Sequence, residues 1–416
     1  MKFSDVVLIG AGPAGTSAAI FLARQGLSVT IIDQARFPRD KVCGEFISPA
    51  ADPILADLGI LNDLQKLSPQ RLKGVYISAY GKEELHIDYP PMPGGSESPT
   101  SLSIPRKTLD NLMLDKVRDA GVQVLEEHRV DDFIFEGDRV VGVQGKDPEG
   151  KRYKFRAKVT VDAGGRNAIS LRRMSLKRPA PGGRAALAAH WRGAFKLENY
   201  CYMHISSPGY TGIAKTGREH VNVVLIVDPK ILKDCHPENF YREMVLKNPL
   251  RAELLKGAEP MERVRVVESL AFDTKLPSCG GLVLAGDAMG FIDPFTGEGI
   301  YLALRSARIA SDVVLEALSE GDVSGRKLME YADRRKREFD GKFFLSRTLQ
   351  KFLYHPFLCR KAVRLLSLNP GLASDLVGVI GDYLEPETVV SFSYLRRLLT
   401  ASILLKSGQR RQGRMV

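Results

Sequence analysis

The sequence predicts an α/β fold with a parallel core, an interleaved β-sheet domain and a C-terminal helical segment. Three observations predict it. An apolar run at residues 5–10 breaks into glycines, then passes through a helical pattern into a second apolar run at 27–32. Further apolar runs at 159–162 and 282–285 end in glycine turns of the same kind. Alternating, strand-like stretches such as 185–191 and 220–227 lie between them, and helical spacing dominates beyond residue 300.

The first unit carries the most information. Gly10, Gly12, Ala14 and Gly15 follow the opening strand, residues 16–25 read as a helix stopped by Gly26, and Asp33 closes the second strand. Strand, glycines, helix, strand and acid in that order make the Rossmann-type dinucleotide fingerprint. Gly10 permits the tight turn, Gly12 lets the backbone approach a diphosphate, and Gly15 allows close helix packing. The helix N-terminus offers unpaired N–H groups to the phosphates. Asp33 stands where a carboxylate accepts hydrogen bonds from a ribose. The motif alone does not choose between nucleotide cofactors.

Three later segments narrow that choice. Residues 104–110 start a helix with Leu109, Leu112, Met113 and Val117 on one face, ended by Gly121. Asp162, Gly164 and Arg166 occupy a strand-to-turn break. Gly286 and Asp287 end another strand, and Pro294, Gly297, Glu298 and Gly299 precede a helix from about Ile300. A single long helical stretch is expected from there to the basic run 334–337.

With these segments in place, residues 1 to about 335 resemble the flavoprotein group of p-hydroxybenzoate hydroxylase, flavin-dependent halogenases and geranylgeranyl reductases. The resemblance implies FAD, with Asp287 on the ribityl chain and the turn of Pro294, Gly297 and Gly299 against the flavin ring. It also implies that Arg106 lies near FAD and that Asp162 and Gly164 close the cofactor site. The cofactor domain is then discontinuous, over 1–71, 104–183 and 276–335. A substrate domain covers 72–103 and 184–275, and a helical, basic segment covers 336–416.

The stretch from Arg36 through Lys41, Cys43, Gly44 and Glu45 is similar to the cysteine–glycine segment of geranylgeranyl reductases, which pass hydride to an isoprenoid double bond. In residues 208–215 the sequence keeps Tyr210 but has Gly212 and Ala214 where that family and the halogenases carry larger aromatics. The only tryptophan, Trp191, lies elsewhere. The expected activity is therefore reduction of a hydrophobic substrate. A flavin monooxygenase and a non-catalytic lipid-binding protein remain as alternatives. Cys43, Glu45 and Tyr210 are the candidate catalytic residues, each with a bland alternative as buried cysteine, loop carboxylate or packed tyrosine. His190, His204 and His220 read as structural and show no metal-ligand spacing. A second nucleotide fingerprint is missing, so NAD(P)H or another reductant is expected as a transient donor.

Composition sets the setting. Five scattered cysteines without a CxxC pair argue against a disulfide framework and for a reducing compartment. Residues 6–23 carry no charge, yet Gly10, Gly12, Pro13 and Gly15 interrupt them, so a cytoplasmic or membrane-peripheral protein is expected. The net charge is +11, and residues 341–416 hold 12 Lys and Arg against 4 Asp and Glu, so eight of those charges fall there. Nucleic acid is not expected, because no nucleic-acid motif accompanies the charge. The aromatic and basic residues from Phe343 to Arg364 read as a helical cap packed on the protein. Leu395, Leu398, Leu399 and Ile403 beside Arg396 and Arg397 form a stripe that would suit an anionic membrane surface, with truncation after about Pro386 expected to abolish binding. The oligomeric state is left open.

Overall fold

Val6, Val7 and Leu8 have no solvent exposure, so the opening strand Lys2–Ile9 is buried on both faces, as parallel strands are. The computed structural model describes residues 2–400 apart from Phe195, Ile292, Asp293, Leu395 and Leu399. Lys2–Ile9 pairs in parallel with Val29–Ile32 on one side and with Arg152–Asp162 on the other. Leu282–Leu284 adds to Arg152–Asp162, also in parallel, and Gln123–Leu125 adds to Val29–Ile32. Antiparallel strands Arg139–Lys146 and Arg129–Glu136 complete a seven-stranded sheet.

Register decides where chemistry can occur. Ile9 pairs with both Ile32 and Asp162, and Asp162 pairs with Leu284. The four strands therefore end level, and the loops at Gly10, Asp33, Ala163 and Gly286 emerge along one edge. That edge is where open α/β sheets bind ligands.

The first helix runs Pro13–Ala23 rather than 16–25, because Pro13 sits at a position where its missing N–H costs nothing. The expected helix beginning at 104–110 is Arg106–Asp119, with Leu109, Met113 and Val117 fully buried.

A second, nine-stranded sheet stands beside the first. Its order runs from Gly290–Phe291 through Arg265–Thr274, Lys177–Arg192, His220–Val227, Gly209–Lys215 and Cys201–Ser206 to Gly74–Ala79 and Glu83–Asp88, and Glu259–Pro260 also pairs with Lys177–Arg192. Strand Lys177–Arg192 continues across residue 183, with a register shift in its pairing to Arg265–Thr274 between Pro179 and Arg184. Alternation along the strands gives two apolar faces. Leu187, Trp191 and Val223 pack against the helix Pro237–Lys247, while Ala186, Ala188 and Ile226 face the C-terminal helices.

The helical stretch expected from Ile300 to Arg337 is broken. Helix Gly299–Glu320 stops at Gly321, whose φ of +72° is the left-handed cap that ends many helices. A short turn capped by Ser324 follows, and Glu330–Leu353 begins again with residues 334–337 inside it. Helices Pro356–Ser367 and Pro370–Ile380 then fold back. Val363, Leu366, Leu376 and Val377 are buried in one cluster with Val75 and Ile226 of the second sheet. No single helix among the described residues is long and apolar enough to cross a membrane. Of the predicted terminal stripe, Leu395, Leu399 and Ile403 lie outside the described residues.

Candidate active site

The glycine turn is built by contact between distant loops. A Cβ at Gly10 would lie 2.6 Å from the Ala163 carbonyl oxygen, so only glycine lets the first loop meet the third. Asp33 fixes the same turn: its Oδ2 accepts from the Ala11 amide at 2.7 Å, and its Oδ1 from the Ala35 amide at 2.8 Å. No side chain caps the helix that starts after Gly12. A Cβ on Gly12 would meet one group within 4 Å, the Arg39 guanidinium at 3.7 Å, so this backbone faces open space.

That space is a cleft of about 1000 Å³, bordered by Gly12, Ala14, Cys43, Arg106, Asp287 and Gly299 among others. Its electrostatics are lopsided. Buried Arg106 grips Asp110 with Nε and Nη2 at 2.8 Å each, and Arg39 reaches the same carboxylate at 3.2 Å. Burial opposes the Arg106 charge, but the Asp110 carboxylate outweighs it and holds the guanidinium above its ordinary pKa. One carboxylate thus serves two arginines.

Lys41 also borders the cleft and has no ion-pair partner among the described residues. Burial and then the Arg106 charge lower its pKa, with Asp287 opposing. Surplus positive charge beside an uncapped helix start and an open glycine backbone is what a diphosphate needs. The cleft fits a dinucleotide. Gly286, at φ +61°, places Asp287 in a short turn on the opposite wall, its amide hydrogen-bonded to the Ser306 hydroxyl at 3.0 Å. Helix Gly299–Glu320 starts there without a side-chain cap.

A second, largely apolar cavity adjoins the first. Gly44, Phe46, Val224, Ile226 and Gly297 border both. The rest of its wall is apolar or uncharged, with Ile77, Met203, Tyr210 and Ile380 prominent. Tyr210 meets the Phe295 ring edge-on at 5.2 Å. Gly212 and Ala214 lie on this wall, so the small residues at aromatic positions widen the cavity.

Residues 4–339 match the FAD-binding domain family. The chain belongs to that family. The cleft is the candidate site for FAD, and the chain is of the FAD-dependent oxidoreductase group. It is 28% identical over 368 residues to conditioned medium factor receptor 1 of Dictyostelium discoideum, covering 84% of this chain and 71% of that one. It is 26% identical to a 1H-pyrrole-2-carbonyl-peptidyl-carrier-protein chlorinase of Pseudomonas fluorescens, over 79% of each chain. It is 27% identical to a digeranylgeranylglycerophospholipid reductase of Methanocella arvoryzae, over 90% of this chain and 99% of the relative. A flavoprotein/dehydrogenase structure from Cytophaga hutchinsonii superposes with a TM-score of 0.84 at 22% identity, covering 98% of this chain and 100% of that one, and shows the shared fold.

The cleft brings together Gly12, Ala14, Cys43, Arg106, Gly286, Asp287, Gly297 and Gly299 of the predicted residues, while the carboxylates of Asp33, Asp162 and Glu45 turn to other partners. Asp162 has no exposure and spends its carboxylate on its own turn, accepting from the Gly164 amide at 3.0 Å and the Ser170 amide at 2.8 Å. Its neighbours Ala163 and Gly165 border the cleft instead. Burial raises the Asp162 pKa, against those hydrogen bonds. Glu45 is likewise turned aside. Its Oε1 accepts from the Arg106 amide at 2.9 Å, and its Oε2 lies 2.7 Å from His190 Nε2. Pro294 opens the turn Pro294–Thr296 just before Gly297.

Lys41 and His190 take places at this site to which the sequence assigned no role. Lys41 stood inside a noticed segment, and its signal was the cluster of Arg36, Arg39 and Lys41. His190 lies 145 residues from Glu45 in sequence and offered no local sign. His204 is buried, with Nδ1 2.7 Å from the Ser78 hydroxyl, and burial lowers its pKa to about 3.

Proposed function

We propose that this FAD-dependent oxidoreductase reduces a carbon–carbon double bond of an isoprenoid or related lipid. One observation carries the reading: an apolar cavity opens onto the FAD cleft at Gly44, Phe46 and Gly297. Such a wall favours a substrate without charge, since a buried charge needs a partner. Bound FAD supplies two-electron hydride chemistry, replenished in this proposal by NAD(P)H or another transient reductant. The chain's own groups do the rest. Arg39, Lys41 and Arg106 bind the diphosphate, and Asp287 accepts from cofactor hydroxyls. Phe46, Val224 and Ile226 exclude water where the cavities meet. Cys43 Sγ, bordering the cleft one residue before that junction, is the group proposed to hold a proton for the substrate. Tyr210 shapes the far wall.

A second reading, oxygen-dependent hydroxylation, epoxidation or halogenation, is supported by the similarity to the chlorinase. Incubation with NADPH and a polyunsaturated prenyl lipid without oxygen separates the two. The expected product is heavier by two hydrogens. Product formed only with oxygen, or carrying labelled oxygen or halogen, would replace the first reading by the second. A colourless protein that cannot take up FAD would leave a lipid-binding role.

We also propose an anionic membrane surface as the partner. Phe357 is 73% exposed and Leu358 42% exposed at the start of Pro356–Ser367, beside exposed Lys351, Lys361 and Arg364. Apolar side chains flanked by unpaired cations suit lipid headgroups.

A further inference from the structure

We propose that His190 and Asn222 act together as positioning residues, holding the segment Cys43–Glu45, whose Gly44 borders both the cleft and the apolar cavity. The two stand opposite each other in register on the antiparallel strands Lys177–Arg192 and His220–Val227. Side chains so placed leave one face of a sheet side by side. Both reach the same short segment, 43–45, outside their own sheet. Asn222 Nδ2 donates to the Cys43 carbonyl at 2.7 Å. His190 Nε2 donates to Glu45 Oε2 at 2.7 Å, and Nδ1 donates to Glu262 Oε1 at 2.9 Å. Glu262 is gripped in turn by Arg265, which lies 3.7 Å from Asp40.

The segment needs such fastening. Glu45 has a φ of +57°, a left-handed conformation that a non-glycine residue keeps only when its surroundings enforce it. The Arg106 amide holds the other oxygen of the same carboxylate at 2.9 Å. Glu45 and Asn222 are each only 3% exposed, so these bonds work away from water. Between the two fastened points sits Gly44, with nothing within 4 Å of where a Cβ would be. Gly44 and Phe46 border both cavities, so any shift of this segment alters the opening between them and moves Cys43. Two carboxylates raise the His190 pKa to about 9, which keeps both ring nitrogens as donors at neutral pH. The inference needs the cleft to be the FAD site and is independent of the substrate.

The test is the rate at which N-ethylmaleimide alkylates Cys43 in the FAD-loaded protein, resolved by peptide mass spectrometry. Exposed Cys235 and Cys201 on the apolar-cavity wall serve as internal references. His190→Ala and Asn222→Ala are each expected to raise the Cys43 rate at least ~5-fold, with both references unchanged. His190→Gln, which keeps an N–H donor, should bring the rate back towards wild type. An unchanged Cys43 rate in folded His190→Ala and Asn222→Ala overturns the proposal. If His190→Ala labels at every cysteine because it unfolds, Asn222→Ala decides alone: a selective rise at Cys43 supports the clamp, and no rise refutes it.

Discussion

Gly286 packs against Ala14 so closely that a Cβ on Gly286 would lie 2.8 Å from the Ala14 Cβ. The contact joins the start of the first helix to the Gly286–Asp287 turn, and both residues border the cleft. Gly286→Val would add a branched side chain at φ +61°, a strain of roughly 1–3 kcal/mol before the clash is counted. FAD affinity should fall at least ~10-fold, with a lower melting temperature. Fluorescence titration and calorimetry check this, and wild-type affinity would disprove the contact.

Gly212 and Ala214 make the apolar cavity wide, so filling it should separate cofactor from substrate. A Cβ on Gly212 meets only Met203 Sδ within 4 Å, at 3.5 Å, and a larger group must enter the cavity. Gly212→Trp is expected to keep its flavin and lose turnover of long-chain substrates by ~10-fold or more, read as flavin content beside initial rate. Equal turnover would place the substrate elsewhere.

The His190 network gives a pH dependence with a definite sign. Glu45 first, against burial, and then Glu262 raise the His190 pKa to about 9 in the folded chain from an ordinary value of 6.5. The other charged groups facing this cluster are Arg265 and, behind it, Asp40. A raised histidine contributes stability that is complete below its unfolded value and is lost as pH rises through its folded one. The stability difference between wild type and His190→Gln should therefore shrink from about pH 6.5 to about pH 9. Urea unfolding across that window checks it, and a flat difference would show that His190 is not charged in the fold.

Lys342 and Asp382 form a buried ion pair at 2.5 Å, linking the helix Glu330–Leu353 to the turn after Pro370–Ile380. Lys342→Met leaves Asp382 buried without its partner and should cost about 3–5 kcal/mol in denaturant unfolding. Adding Asp382→Asn should recover part of the loss. A cost below about 1 kcal/mol would mean that water reaches the pair.

If the basic aromatic face meets lipid, Phe357→Ser with Leu358→Ser should weaken sedimentation with phosphatidylserine vesicles by ~5-fold or more. Sedimentation with neutral vesicles should be weak in both proteins. Equal binding by the double variant, or no binding by wild type, would remove the membrane from the account.

What was legible in the sequence was local. The Gly10–Gly12–Gly15 turn, Asp33 and the Gly286–Asp287 turn depend on backbone geometry within a few residues, and short spacing records that geometry. The direction of Asp162 was not legible, because the motif fixes its turn while Ser170, eight residues on, takes its carboxylate. The break after Glu320 had a sign in Gly321 and Ser324 that the apolar spacing overrode. His190 and Asn222 meet through strand register within the second sheet and reach Glu45 and Cys43 only in the folded chain, and no single-sequence pattern encodes a contact over 145 residues. The packing of Val363 and Val377 on the second sheet is hidden for the same reason.

The proposed reaction carries electrons from the flavin into a double bond in the adjoining apolar cavity. Its most direct test is a single-turnover experiment. The protein is photoreduced without oxygen and mixed with a geranylgeranyl lipid, and the flavin absorbance is followed. Reoxidation without oxygen is expected, with one double bond saturated per flavin reoxidised. Flavin that stays reduced until oxygen is admitted, with the lipid unchanged before that moment, would contradict it.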